Sequence, residues 1–427
     1  NNGSVEEIYG GAYQNQVQTA TNINIYGGKV EQNIYGGNEL TTQDQLNSDN
    51  SSQNTNIVIE STDKNTTPVI IGTIYGSGKY DRIGTSEIHL VKCDNKIPTV
   101  YGGSDTAGIT NEANIYLNGM TASTIYGGSN TDGTVTNSNI YLQSGTVTDV
   151  YGGGYGGTTT TSNVKIEGTA NVTSIYGGSN TNGTVETSNV ELKSGTLLNV
   201  YGGGNSASVG TANVNLDGLT IDSIHGGSKT SGVTTNTNVV LNSGTVTNAF
   251  GAGYGVGAIN AKVTQNGAEV TNIYGGNEGG DNDSSETTNS IVNIKDANVS
   301  NVYGGNLNNG ITQNATINIS GNSSVDSLFG GGCQSDIGKS GTTGSTTLNI
   351  AGGTVLFDIH GGSRSGIVYG NTNINIGKDA VTDSTLIAGN IRIGDKFLNE
   401  NIYGGGFMDS TDYSATSVYG ETHNFRQ

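Results

Sequence analysis

Basic residues are scarce in this sequence: 17 lysines and arginines stand against 36 aspartates and glutamates, for a net charge of −19 over 427 residues. They form no stripe, and nucleic-acid affinity rests on neutralising phosphates, so a nucleic-acid partner is not expected, nor an anionic membrane surface. Cysteine is rarer: Cys93 and Cys333 lie about 240 residues apart. In a repeat protein that separation puts them many coils apart, whereas a disulfide needs Cα atoms within about 7 Å, so no bond between them is expected. Long apolar runs are missing, which leaves no membrane span. Apolar residues recurring at three and four positions are missing too, and Gly and β-branched residues dominate, which excludes a helical architecture.

What is present is a repeat. An aliphatic residue followed by Tyr-Gly-Gly recurs at Tyr101, Tyr126, Tyr151, Tyr176 and Tyr201, about 25 residues apart. His225, Phe250, Tyr274, Tyr303, Phe329, His360 and Tyr403 continue the slot, with looser copies at Tyr9, Tyr26, Tyr35, Tyr75 and Tyr419. A fixed period of this size along a whole chain marks a repeat architecture in which no unit buries its apolar face alone. The expected organisation is one domain over 1–427, with irregular coils at 1–75, regular coils at 76–378 and irregular coils at 379–427. The opening Asn1-Asn2-Gly3-Ser4-Val5 carries no signal-peptide pattern and starts inside a repeat, so the chain is expected to be part of a larger one.

One coil, residues 177–201, shows the pattern. Asn189-Val190-Glu191-Leu192-Lys193 alternates apolar and polar residues, as does Thr196-Leu197-Leu198-Asn199-Val200-Tyr201, with Gly195 between them. Each is a short strand. The residue before the aromatic is aliphatic in coil after coil (Val100, Ile125, Val150, Ile175, Val200) and must face inward. Side chains alternate along a strand, so the Tyr is expected to face outward and the next Gly inward, where it allows close backbone approach. Loops entered by Ser129-Asn130 and Ser179-Asn180 alternate with loops entered by Gly154-Tyr155 and Gly204-Asn205, a longer period of about 50 residues.

Coils of about 25 residues, aliphatic ladders and an Asn column (Asn114, Asn139, Asn163, Asn189, Asn213, Asn238) resemble the right-handed parallel β-helices of pectate-lyase-like proteins and bacterial surface adhesins. The fold this implies is an all-β, single-stranded parallel β-helix or β-solenoid of roughly 15–17 coils. In that family such Asn residues stack in a turn and bond neighbouring coils. The lyases' Asp ligands and Arg base are not found in these repeats, and the uniformity is closer to a bacterial surface protein. The function implied is an extracellular structural or adhesive region; a polysaccharide-active lyase or hydrolase and an ice-binding solenoid are the alternatives.

The candidate contact surfaces are the loop insertions at Thr41–Asn56, Glu278–Thr288 and Asp336–Thr346 and the aromatic strip Tyr101, Tyr126, Tyr151, Tyr176, Tyr201, Tyr274 and Tyr303, the strip expected to be exposed and suited to a glycan or a host or bacterial surface protein. The same column also serves if it merely packs coil on coil. Asp281, Asp283 and Glu286 lie in an acidic loop whose oxygens suit Ca²⁺, though without EF-hand spacing. Asp358, His360 and Arg364 bring carboxylate, imidazole and guanidinium together, but in ordinary repeat slots. Unpaired strands at end coils would allow self-association.

Overall fold

The computed structural model describes residues 3–13, 17, 19–39, 53–61, 68–92, 95–280, 285–357, 359–377, 391–393 and 402–405. Contacts gather the chain into two units, Asn1–Ala212 and Asn213–Gln427. Each unit is a β-solenoid of stacked parallel coils, and no helix occurs among the described residues. The one antiparallel pairing among them is the small hairpin of Asp336–Lys339 with Thr342–Thr343. Among the described residues the coils amount to about 14 turns; not every Tyr-Gly in the sequence marks the same corner. Tyr26 follows the strand Ala20–Ile25, which pairs with the Asn-bearing strand Asn54–Glu60, and it is 47% exposed. Its Gly-Gly therefore marks a different corner of the coil. Tyr419 lies outside the described residues.

The register joins each residue to its counterpart one repeat away. In the first unit Val100, Ile125, Val150, Ile175 and Val200 pair in series, each with no exposed surface. Ile115, Ile140, Val164 and Val190 form a second inward ladder, and Leu117, Leu142, Ile166 and Leu192 a third. In the second unit Ile273, Val302, Leu328, Ile359 and Ile402 repeat the first of these. The core is thus a bundle of aliphatic columns, each coil lending one side chain to each. Stability is carried by coil-to-coil interfaces, and a register slip by one residue would turn every column out to solvent.

Glycine sets two corners by different means. Gly145, inside the continuous strand Thr134–Tyr151, and Gly195, between the strands Val185–Leu192 and Thr196–Tyr201, sit at φ 99° and 108°, a left-handed conformation that Gly adopts without penalty. Asp296 takes such a corner at φ 52°, and its carboxylate accepts from the backbone N–H of Asn322 at 2.9 Å. After the aromatic, space decides instead: a Cβ on Gly152 would lie 2.4 Å from the Gly177 carbonyl oxygen. The inward Gly expected from strand alternation is therefore found, as a point of close approach.

That corner carries a buried carbonyl, and a hydroxyl answers it. Ser86, Ser138, Ser162 and Ser188 donate to the carbonyls of Gly102, Gly152, Gly177 and Gly202 at 2.5–2.7 Å. Thr21 and Thr55 do the same to Gly36 and Gly76, and Ser290 to Gly304. A carbonyl buried without such a donor would cost roughly 1–3 kcal/mol. The residue just before the Asn column is thus an interior polar anchor.

Candidate binding surface over the aromatic ladder

The strand that ends in Val-Tyr delivers its ring to the side opposite the aliphatic column, as alternation requires. In the first unit Tyr9, Tyr35, Tyr75, Tyr101, Tyr126, Tyr151, Tyr176 and Tyr201 stack with ring centroids 4.6–5.2 Å apart and planes within 13°. In the second, His225, Phe250, Tyr274, Tyr303, Phe329, His360 and Tyr403 stack at 4.8–5.2 Å. The expectation of an exposed strip is overturned: Tyr101, Tyr126 and Tyr151 are each 6% exposed, Tyr201 4%, Tyr176 3%, and Tyr274 and Tyr303 5%. Two physical facts account for it. The chain doubles back after the Gly-Gly and lays a loop over the rings. Stacking also turns the ring faces against each other, so the column offers no flat apolar face. Burial pushes the phenols of Tyr101, Tyr151 and Tyr274 upward, so they stay neutral hydrogen-bonding groups.

The cover is built from the fourth residue after each aromatic. In the first unit this slot holds Tyr13, Glu39, Lys79, Asp105, Asn130, Tyr155, Asn180 and Asn205 in consecutive coils. Lys79 Nζ lies 5.3 Å from the centre of the Tyr35 ring and 3.2 Å from Glu39 Oε1. The Tyr35 hydroxyl donates to Asp105 at 3.2 Å, and the Asn130 amide donates to the same carboxylate at 2.9 Å. Asn180 donates to the Tyr126 hydroxyl at 3.0 Å, and Asn205 to Asn180 at 3.0 Å. Tyr155 stands at 84° to the Tyr126 ring. In the second unit the slot holds Lys229, Tyr254, Glu278, Leu307, Cys333 and Arg364. His225 Nε2 lies 2.8 Å from Glu278 Oε2, and Tyr254 stands at 73° to the His225 ring. Leu307 and Cys333 pack on the ladder, and Arg364 Nη1 points at Cys333 Sγ from 3.9 Å.

An unvarying aromatic column therefore lies beneath a row whose members differ from coil to coil. Sequence reasoning missed this row. Its trace was the alternation of Ser-Asn loops with Gly-Tyr loops, which registered only as a period.

A second aromatic series lies on the outer face of the first strand. His89, Tyr116 and Tyr141 stack at 4.7 and 5.0 Å and are half-buried, and Lys165 follows in register. Beside them runs the Asn column, where Asn139, Asn163 and Asn189 each donate to the preceding member at 2.8–2.9 Å. These amides bond neighbouring coils as the resemblance implied, but along strands instead of in a turn. In the second unit a different column, just ahead of the hydroxyl anchors Thr237 and Ser290, bonds in the same manner: Asn260, Asn289 and Asn314 follow from Asn236 at 2.9–3.2 Å.

The remaining candidates are described only in part. Asp281, Asp283, Asp358 and Cys93 lie outside the described residues. Glu286 is taken up by Lys339 at 3.3 Å and by Gln313 at 2.9 Å. His360 is 5% exposed and stacked between Phe329 and Tyr403, so it is a rung of the ladder. Among the described residues no group of three His, Cys, Asp or Glu side chains is placed to hold a metal ion.

One buried carboxylate does have a measurable consequence. Asp81 is 1% exposed and accepts from the backbone N–H and side-chain amide of Asn38 and from the Arg82 N–H, at 2.7–3.2 Å. Burial outweighs those bonds and pushes its carboxyl up to about 6 from an ordinary value near 3.8. The folded state therefore binds more protons between those values. Its stability falls as pH rises through that window, by roughly 3 kcal/mol in total. Urea melts of the full chain at pH 4 and pH 7 should show this loss, and Asp81→Asn should remove most of it. A pH dependence that Asp81→Asn leaves intact would locate the titrating group elsewhere.

Fold and surface together define a β-solenoid repeat protein with a covered aromatic ladder. No protein-family description, curated protein or solved structure matches the chain.

Proposed function

We propose that this chain is an extracellular structural and adhesive repeat region of a bacterial surface protein, binding a glycan or a partner protein through the row that covers the ladder. The observation that carries this is the contrast between the two columns. The ladder repeats one chemistry, as a scaffold needs. The cover changes from Lys79 to Asp105 to Asn130 to Tyr155 over four successive coils while its backbone stays in register. Variation held on a rigid repeat is how a solenoid builds a contact surface, and many weak contacts along one scaffold add through effective concentration.

Beads coated with the full chain should adhere saturably to bacterial or host cells, and soluble chain should compete. Beads that adhere no better than uncoated ones would end the adhesive reading and leave a spacer. Release of new sugar ends from a polysaccharide would replace it with a polysaccharide-cleaving activity.

A further inference from the structure

Of the tyrosines in the cover row, Tyr13 follows Ala12, whereas two others share one Gly-Tyr-Gly motif. Tyr155 lies in Gly154-Tyr155-Gly156 after the rung Tyr151, and Tyr254 in Gly253-Tyr254-Gly255 after the rung Phe250. One belongs to each unit. We infer that each of these tyrosines is the platform of a carbohydrate-binding subsite for neutral polysaccharide, an inference that rests on the adhesive function proposed above.

The two loops are built alike. The N–H groups of Tyr155 and Gly156 donate to the carbonyls of Ser129 and Asn130 at 3.1 and 2.8 Å. Those of Tyr254 and Gly255 donate to Ser228 and Lys229 at the same 3.1 and 2.8 Å. The glycine ahead of each Tyr lets the loop lie down on the preceding coil. A Cβ on Gly154 would sit 2.1 Å from the Ser129 oxygen, and one on Gly253 2.0 Å from the Ser228 oxygen. Each ring is then set edge-on against the rung of the coil before its own, at 6.2 Å from Tyr126 and 5.9 Å from His225. The loops are pinned, so little freedom is lost on binding.

These rings differ from every rung of the ladder in what they offer. Tyr155 is 44% exposed and Tyr254 38%. They stand nearly perpendicular to the stack, and among the described residues no ring is stacked on either face. An exposed, rigid ring with a polar tip is what the apolar C–H face of a sugar packs against. Its neighbours in the row supply the hydroxyl contacts. Beside Tyr155 stand Asn130 and Asn180, oriented by Asp105 at 2.9 Å and by Tyr126 and Asn205 at 3.0 Å. A primary amide has two donors and an acceptor, which suits adjacent hydroxyls. Beside Tyr254, Glu278 is held by His225 at 2.8 Å. Uncharged amides at one site and a net charge of −19 over the chain favour a neutral polymer over a polyanion.

Affinity electrophoresis of the full chain through gels containing soluble β-glucan, mannan or starch, with heparin as the anionic control, tests the inference. At least one neutral polymer should retard the protein and heparin should not. Tyr155→Ala and Tyr254→Ala should each weaken that retardation about tenfold or more, and together abolish it. The corresponding Phe variants should keep most of it, and Tyr116→Ala, on the other aromatic series, should leave it unchanged. Circular dichroism establishes that each variant is folded. Retardation that survives the double Ala variant would overturn the two subsites while leaving adhesion in place. Cell-adhesive beads with no retardation in any neutral polymer would also overturn them, and point adhesion to protein. Failure of both assays would remove the subsites and the adhesive function together.

Discussion

Gly127→Val is expected to break the solenoid at one coil and to lower stability by roughly 2–6 kcal/mol. A Cβ at Gly127 would lie 1.7 Å from Ser138 Oγ and 2.5 Å from the Gly152 carbonyl oxygen. The clash is one of space, because Gly127 is not among the glycines with positive φ. Relief requires either a backbone shift, which pulls the coil off its neighbour, or displacement of the Ser138 hydroxyl. That hydroxyl donates to Gly152 at 2.7 Å, so its loss leaves a buried carbonyl without a donor. Overpacking costs about 1–3 kcal/mol and the unsatisfied carbonyl about 1–3 more. Gly3→Val is the control, since an added Cβ there meets nothing within 4 Å. Hydrogen exchange should show lost protection in peptides covering 126–152 and retained protection several coils away, as a nearest-neighbour stack requires. Removing the Oγ should partly rescue the smaller variant, so Gly127→Ala with Ser138→Ala should exchange more slowly than Gly127→Ala alone. The sequence carries its own precedent, with Ala113 in register with Ser138. Wild-type protection in Gly127→Val would mean that the first Gly of the repeat does not face the neighbouring coil.

The aliphatic and Gly positions were legible in the sequence because they answer to local rules. Val150 and Ile175 alternate with polar neighbours, so period two fixes their side of the strand, and an inward Gly after the ring follows from the same count. The corner at Gly195 could be read from a single Gly between two alternating runs. The burial of Tyr126 could not, because it depends on where the next loops go. Asn180, 54 positions along, and Tyr155, 29 along, reach it only once the coils are stacked. Alternation says which side a ring leaves the strand, not whether that side is covered. The Ser138 and Ser162 anchors leave a weaker trace, a small residue just before each Asn of its column, because the carbonyl each one satisfies lies 14 or 15 positions further along the chain. Tyr155 and Tyr254 were visible as Gly-Tyr-Gly, and only their angle to the ladder sets them apart from its rungs.

Tyr151→Ala is expected to cost about 3–5 kcal/mol, as large truncations of buried aromatics do. The ring is 6% exposed and is sandwiched between Tyr126 at 4.9 Å and Tyr176 at 4.6 Å, so removal leaves a gap with aromatic walls on both sides. It also removes two stacked pairs, each worth about 0.5–1.5 kcal/mol beyond area burial. Tyr151→Phe should cost far less. Phe250 and Phe329 occupy the same slot in the second unit with centroid spacings of 4.9 and 5.2 Å to their tyrosine neighbours, so the hydroxyl is not what holds the rung. Tyr116→Ala should fall between the two, because that ring is half-buried and stacked in a shorter series. Urea midpoints followed by far-ultraviolet circular dichroism would rank the three. If Tyr151→Ala proved no worse than Tyr116→Ala, the covered column would be a lining and not a support, and stability would have to reside in the aliphatic columns alone. If the order holds, the aromatic ladder is a second core running alongside the first. The cover row would then be free to vary, because the rings beneath it already hold the coils together.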